Sequence, residues 1–259
     1  MTSTSRLMLV RSVGAGPSLV LFHGGMGSWN HWIRNLDALS GRFRVHAVDL
    51  PGYGIAATVD KSMPRQDYVD LVVSDLQTVV GSEPFCLVGF SFGGVVAAMT
   101  AASMGAQVSR LSLIGGSGFG PAPMLDLRTI PPESAGDAAR RAMFRHNLHE
   151  LMIADPAAIS EHTIDLHAEN FKNTRYDGRG FSLSNDTATA LERIVCPIQF
   201  IYGGRDALHH SELAGRAKLV ERLHPHSDFV VVPGAGHWVQ YEAAAEVNRL
   251  LLAFMTAPA

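Results

Sequence analysis

The sequence predicts an α/β protein built on one mostly parallel sheet, flanked by helices and interrupted by a helical insert. Three observations lead there. Short apolar runs bounded by glycine alternate with segments of helical period from Ser18 to Gly116, and again from Val195 to Met255. Between about Pro121 and Leu191 the strand signal disappears. At residues 89–93 an apolar run breaks into "GFSFG" and resumes at once as a helix. Alternation of this kind implies parallel strands joined by right-handed crossovers, with helices on both faces.

In order along the chain, residues 7–13 read as a first strand and "GAGP" from Gly14 as a turn. "SLVLFHG" from Ser18 is a short apolar run ending in glycine, the mark of a strand buried on both faces. After a glycine-rich loop, apolar residues at 29, 32, 33, 36 and 39 have helical spacing. "FRVHAVDLPGYG" from Phe43 is a strand running into a Pro-Gly loop, and residues 66–80 form a clear amphipathic helix. A strand over 85–90, a helix over 92–104 and the strand "RLSLIGG" from Arg110 follow. The proline-rich "PAPMLDLRTIPPESAGD" then opens a stretch whose helix signals are strongest near 137–152 and 156–171. The pattern returns with "VCPIQFIYGG" from Val195, a helix near 211–223, the strand "DFVVVPG" from Asp228 and a last helix over 239–255. Residues 1–120 and 192–259 are therefore expected to form one core, with 121–191 inserted as a helical lid over it.

Composition excludes several classes. With 259 residues, 47% apolar and 17% charged, the chain can bury a sizeable core. The net charge is 21 − 24 = −3 with no basic block, which argues against a nucleic-acid partner. The start "MTSTSRLMLVRSVGAGP" has only a four-residue apolar run before Arg11, too short for a signal peptide. No stretch approaches the roughly 20 apolar residues that span a bilayer. Cys86 and Cys196 sit in apolar strand-like runs, which favours two buried free thiols in a cytoplasmic protein over a disulfide.

Chemistry centres on Ser91. In a parallel sheet ligands bind at the C-terminal strand ends, and Ser91 falls at such an end, between a strand and a helix, in the pattern G-x-S-x-G. Gly89 and Gly93 leave room for a turn too sharp for side chains at those positions. The bland alternative is that Ser91 only caps the helix behind it. A serine nucleophile needs a base and a group that orients the base. His237, in "GAGHW" after the last strand, and Asp206, in "YGGRD" after the preceding one, lie on the same sheet edge. Taken singly, Asp206 could cap the next helix and His237 could be a loop histidine. "HGGMG" from His23 allows close backbone approach, so the Gly25 and Phe92 N–H groups are the expected oxyanion donors, with Met26 the poorer donor. That loop lacks both the P-loop and the dinucleotide-fold glycine spacing, so no nucleotide cofactor is implied. None of the 12 histidines stands in H-E-x-x-H or mixed Cys/His spacing, so no metal is expected and EDTA should not change activity.

With these residues assembled, the chain resembles the α/β-hydrolase superfamily along nearly its whole length, through "HGG", "DLPGYG", "GFSFGG", "YGGRD" and "GAGHW". The resemblance implies an eight-stranded, mostly parallel sheet with an α-helical cap. It makes Ser91 the nucleophile, His237 the base, Asp206 its orienter, and Gly25 with Phe92 the oxyanion donors. A serine at 91 sets aside the branches that use aspartate there, the haloalkane dehalogenases and epoxide hydrolases. Esterases, lactonases, cofactor-free perhydrolases and the C–C hydrolases of meta-cleavage products remain. "GHWVQYE" is similar to the last group, but Phe90 stands where that group has asparagine, and His167 where it has a cap arginine, with Arg175 near enough to substitute. Ester hydrolysis is therefore the first reading and C–C cleavage the second, with a non-catalytic ligand receptor on the same fold as a third. Met26, Phe90, Trp238, Met143, Phe144, His167 and Arg175 are the candidate pocket residues, joined in the lid by Met124, Leu125, Leu148, Leu151 and Phe171. Trp238 could wall the acyl site or anchor the last helix. The expected partner is a small-molecule substrate, with a homodimer left open.

Overall fold

Among the described residues seven strands form a single sheet in the order β1-β3-β2-β4-β5-β6-β7. They are β1 (Leu9–Val13), β2 (Ser18–Phe22), β3 (Arg44–Asp49), β4 (Phe85–Phe90), β5 (Val108–Ile114), β6 (Ile198–Gly203) and β7 (Asp228–Val232). The computed structural model describes residues 7–257. Only β1 runs antiparallel to its neighbour, pairing Leu9 with Asp49 and Val13 with Val45. The resemblance implied eight strands. The residue pattern marked these seven, and β1 and β7 are the sheet edges among the described residues. Residues 1–6 of the leader reading lie outside the described residues, and Leu9 and Val10 of its apolar run open β1.

The strands of the sheet interior are apolar on both faces because both faces are covered: β2, β4 and β6 are buried almost throughout. The chain moves from β2 outward to β3, then returns to the other side of β2 for β4. That reversal opens a crevice beyond the ends of β2 and β4, where ligands bind in open α/β sheets.

Helix α2 (Arg65–Val80) buries one stripe, Tyr68, Val69, Val72, Leu76 and Val80. Helix α3 (Phe92–Met104) is buried from Phe92 to Ala101, and its Gly93, Gly94, Ala97 and Ala98 let it lie close on the sheet. Helices α6 (Arg179–Ser182) and α7 (Asp186–Leu191) also pack against α3, and Phe181, Ala190 and Leu191 join its apolar cluster.

Two helices expected to be continuous are broken. The 29–39 segment becomes a 3-10 turn (Trp29–Trp32) and a short α1 (Leu36–Ser40). The 239–255 segment becomes α9 (Val239–Glu242) and α10 (Ala244–Met255). Buried Asn35 lies between the first pair and donates from Nδ2 to the Gln240 carbonyl at 3.0 Å and to Asn248 Oδ1 at 2.7 Å. A carbonyl that would serve an unbroken helix is thus bonded from outside it.

Between β5 and β6 the described chain carries helices and no strand. Helix α4 (Gly136–Asn147) runs into a π turn over Leu148–Met152. Helix α5 (Glu161–Lys172) starts at a capping box in which Ser160 and Thr163 exchange side-chain-to-backbone bonds. Arg141 bonds Glu161 and Asp165, and Arg145 also pairs with Glu161. These exposed pairs fix orientation more than they stabilise. The register of α4 on α5 comes from the apolar residues beneath, including Met143, Phe144, Leu148 and Ile164. Helix α8 (Leu213–Leu223) precedes β7. Cys86 and Cys196 are both buried and free, and burial pushes the Cys196 thiol up to about 11. Among the described residues no helix is long and apolar enough to cross a membrane.

Candidate active site

Ser91 joins β4 directly to α3 with φ 52° and ψ −118°, a left-handed backbone that a side-chain-bearing residue adopts only under strain of about 1–3 kcal/mol. Its neighbours make that turn possible. A Cβ on Gly93 would lie 2.2 Å from the His23 carbonyl oxygen, and one on Gly89 would lie 2.4 Å from the Gly93 oxygen. The Ser91 N–H donates to Ile114 O at 2.9 Å, which pins the turn to β5. The hydroxyl makes no capping bond to α3. It lies instead 2.9 Å from His237 Nε2.

His237 sits in the loop after β7, with Nδ1 2.8 Å from Asp206 Oδ2. Asp206 sits in the loop after β6, its other oxygen accepting the Leu208 N–H at 2.9 Å. With Nδ1–H donated to a carboxylate, Nε2 is left as the acceptor for the Ser91 hydroxyl. The two loops are pressed together at glycines. A Cβ on Gly203 would meet the Gly236 oxygen at 2.1 Å, and one on Gly115 would approach the His237 ring at 3.1 Å. Burial raises the Asp206 pKa, but the charge and hydrogen bond of His237, the nearby His209 and the Leu208 N–H outweigh it, so the carboxyl stays below its ordinary range. An ionised Asp206, fully buried, is thus available to balance positive charge on His237.

The loop after β2 faces this pair. His23 Nε2 accepts the Leu50 N–H at 3.0 Å and Nδ1 donates to the Gly24 carbonyl at 2.7 Å, so its ring braces the loop. Burial drives His23 down to about 4, which keeps it neutral. The Gly24 N–H is spent on His31 Nδ1 at 3.2 Å. Gly25 lies against Phe92, since a Cβ built on it would be 3.7 Å from the Phe92 Cβ. Among the described residues neither the Gly25 nor the Phe92 N–H has an acceptor. Two unspent backbone donors thus lie next to the serine at the N-terminus of α3, an arrangement suited to an oxyanion. Met26, at φ 50°, turns the loop away.

The candidate pocket residues divide. Met26, Met143, Phe144 and His167 line a cavity of about 340 Å³ together with Leu151 and Phe171. Phe90 lies beneath the site, its ring 5.0 Å from that of His237. Trp238 is wholly buried, donates from Nε1 to the His31 carbonyl at 3.0 Å and stacks on Tyr241 at 4.1 Å. It anchors the start of α9 and lines no part of the cavity. Arg175 is placed elsewhere as well. Its guanidinium donates to the carbonyls of Gly54 (2.9 Å), Ala56 (2.6 Å) and Asn173 (2.9 Å), tying down the loop after β3. Carbonyl oxygens with no other partner outcompete a distant pocket. Met124 is 97% exposed and lines nothing.

Three residues outside the sequence expectation belong to the site. His31 braces the Gly24 N–H, and nothing in its local sequence marks that role. His209 is buried with its ring 5.5 Å from His237. Asp206, His209 and His237 bring three potential metal-ligand atoms within 4.8 Å of one another, although Asp206 and His237 are already bonded to each other. Glu242 accepts the N–H groups of Gly236 (2.7 Å), Asp155 (2.8 Å) and Ala154 (3.1 Å), joining the His237 loop to the chain ahead of α5. Its place five residues after His237 was the available signal.

Comparison with known proteins shows the family of the chain. A family model described as "Alpha/beta hydrolase family" matches residues 19–250. The acetyltransferase component of an acetoin cleaving system from Pseudomonas putida is 31% identical over 93% of this chain, which spans 64% of that protein's length. A 2-hydroxy-6-oxononadienedioate/2-hydroxy-6-oxononatrienedioate hydrolase from Paraburkholderia phymatum is 29% identical over 93% of this chain and 88% of its own. A pimeloyl-[acyl-carrier protein] methyl ester esterase from Chromobacterium violaceum is 31% identical over 78% of this chain and 80% of its own. Among solved structures, a meta-cleavage product hydrolase from Pseudomonas fluorescens IP01 superposes with a TM-score of 0.76 at 21% identity, covering 95% of this chain and 93% of its own.

Proposed function

The chain belongs to the alpha/beta hydrolase family and is an enzyme of that family, and from that premise we propose that it is a cofactor-independent serine hydrolase acting on a small apolar carboxylic ester. The observation that carries the reading is the unbroken relay from Ser91 Oγ through His237 to Asp206, at 2.9 and 2.8 Å. Ser91 Oγ attacks the ester carbonyl carbon while His237 Nε2 takes its proton. The carbonyl π pair moves to oxygen, and the Gly25 and Phe92 N–H groups hold the resulting oxyanion, each worth roughly 3 kcal/mol. Collapse of that intermediate breaks the bond to the alkoxy oxygen, which leaves with the proton from His237. A water then gives its proton to His237, attacks the acyl-enzyme through the same oxyanion, and releases the acid with Ser91 reprotonated. Asp206, held ionised, stabilises imidazolium at each stage.

Residues 121–191 act as the lid in this proposal. The support is the cavity itself, lined by Met26 from the sheet side and by Met143, Phe144 and His167 from helices α4 and α5. The test is Ser91→Ala. Turnover of p-nitrophenyl esters should fall by several orders of magnitude and fluorophosphonate labelling should vanish, with the circular dichroism spectrum unchanged. Unaltered turnover would remove Ser91 from the chemistry.

A second reading is favoured by the relative named for a dienedioate substrate, which aligns over 93% of this chain. The same relay would cleave a C–C bond beside a ketone after the dienol is ketonised. A 2-hydroxy-6-oxo-dienoate would then bleach faster than p-nitrophenyl acetate is hydrolysed. The neutral His167 in the cavity weighs against it, since it offers a dienolate no countercharge.

A further inference from the structure

The cavity beside Met26 contains one buried side chain with nothing to bond to. His167 is 5% exposed, lines the cavity, and has no hydrogen-bond partner among the described residues. Its ring edge meets Phe144 at 5.6 Å. Met26, Met143, Phe144, Leu151 and Phe171 make the inner lining apolar, and Thr129 adds a hydroxyl at the exposed side. Asn147 also reaches the lining, but its amide is committed to the backbone of Arg128 at 2.8 and 2.9 Å. A buried polar group is normally paired, and the ring nitrogens of His167 keep some exposure, so a ligand in the cavity can pair them.

His167 is neutral at ordinary pH, because burial drives its pKa to about 4. It therefore offers one N–H donor and one acceptor nitrogen. A second unpaired donor braces the loop that carries Met26, behind the cavity lining. His31 Nδ1 accepts the Gly24 N–H, so its proton is on Nε2, which is buried without an acceptor. Burial, first of all, holds His31 far below its ordinary pKa, so it is neutral as well. Neither imidazole supplies positive charge. An anion desolvated here would lose far more hydration than a neutral hydrogen bond returns, whereas a hydroxyl or carbonyl would be matched. Arg128 lies at the exposed rim, where water screens its charge.

We propose that His167 is a specificity-determining residue and that the preferred substrate carries a neutral hydroxyl or carbonyl on its apolar part, away from the scissile carbonyl. This rests on the ester-hydrolase reading of the same site. The test compares p-nitrophenyl esters of three acids of equal length, ending in methyl, hydroxyl and carboxylate. The protein should give the hydroxyl ester about tenfold higher kcat/KM than the methyl ester, with the carboxylate ester poorest. His167→Phe should invert the hydroxyl-to-methyl ratio, while His167→Gln, which keeps a donor and an acceptor, should preserve it. An unchanged ratio in His167→Phe would overturn the proposal. So would a carboxylate preference abolished by Arg128→Ala, which would place an anion site at the rim. If no ester is turned over, the hydrolase reading fails separately. Calorimetric titration of the corresponding neutral amides into the Ser91→Ala protein then decides the specificity question by the same ratio.

Discussion

Glu242 offers the sharpest test of how the His237 loop is held. Its carboxylate accepts three backbone N–H groups, from Gly236, Asp155 and Ala154, at 2.7, 2.8 and 3.1 Å. Hydrogen bonds to a charged group contribute about 1.5–3 kcal/mol each, and the low end applies to a half-buried acceptor. Glu242→Ala removes all three, for a loss of about 3–5 kcal/mol. Glu242→Gln keeps one acceptor oxygen and points an NH₂ at a facing N–H. Placing the oxygen where Gly236 and Ala154 converge sets the loss at about 1.5–3 kcal/mol. At about 2–4 °C per kcal/mol for a chain of this size, Tm should fall by roughly 3–12 °C for Gln and roughly 6–20 °C for Ala. The Trp238 N–H still donates to Met152 O at 2.7 Å, so the loop stays partly tethered and the protein still folds. Because Gly236 precedes the base, kcat should fall at least about tenfold in Glu242→Ala, with KM changed far less. Thermal unfolding by calorimetry and p-nitrophenyl acetate kinetics well below both transitions measure the two effects. A Tm within about 1 °C of the parent, together with unchanged kcat, would show that this clamp holds nothing.

Other perturbations follow the same logic. Gly93→Ala puts a methyl 2.2 Å from the His23 carbonyl, so it should abolish fluorophosphonate labelling or soluble expression, and full labelling would refute the tight-turn argument. Stability should fall as the solution is acidified from pH 6.5 toward 4. His23 and His167 are held to about 4 against an ordinary 6.5, so the unfolded chain binds protons there that the folded one refuses. The loss is on the order of 3 kcal/mol per histidine, and urea unfolding that is flat from pH 7 to about 4.5 would mean that these rings are not kept neutral. Arg175→Ala should speed proteolysis of the 52–58 loop and leave KM within about twofold. A large rise in KM would return Arg175 to substrate binding.

The chemistry at each strand end was legible in the sequence because it depends on local sterics. A serine between Gly89 and Gly93 can only be a tight turn, and a histidine or aspartate just past an apolar run must emerge at the rim of the sheet. The same reasoning marked seven strands and helix α2. It failed where the decisive partner is distant in the chain. The Gln240 carbonyl beside the α9–α10 break is bonded by Asn35, 205 residues away, and Arg175 is claimed by carbonyls about 120 residues away. The bond of Ser91 to His237 spans 146 residues, and the unpaired ring of His167 shows only once α4 and α5 close over the β2 loop. Backbone sterics are set by neighbours and can be read from them. Which buried polar group finds a partner, and which is left for a ligand, is a competition among all groups brought near by folding, and only the tertiary structure decides it.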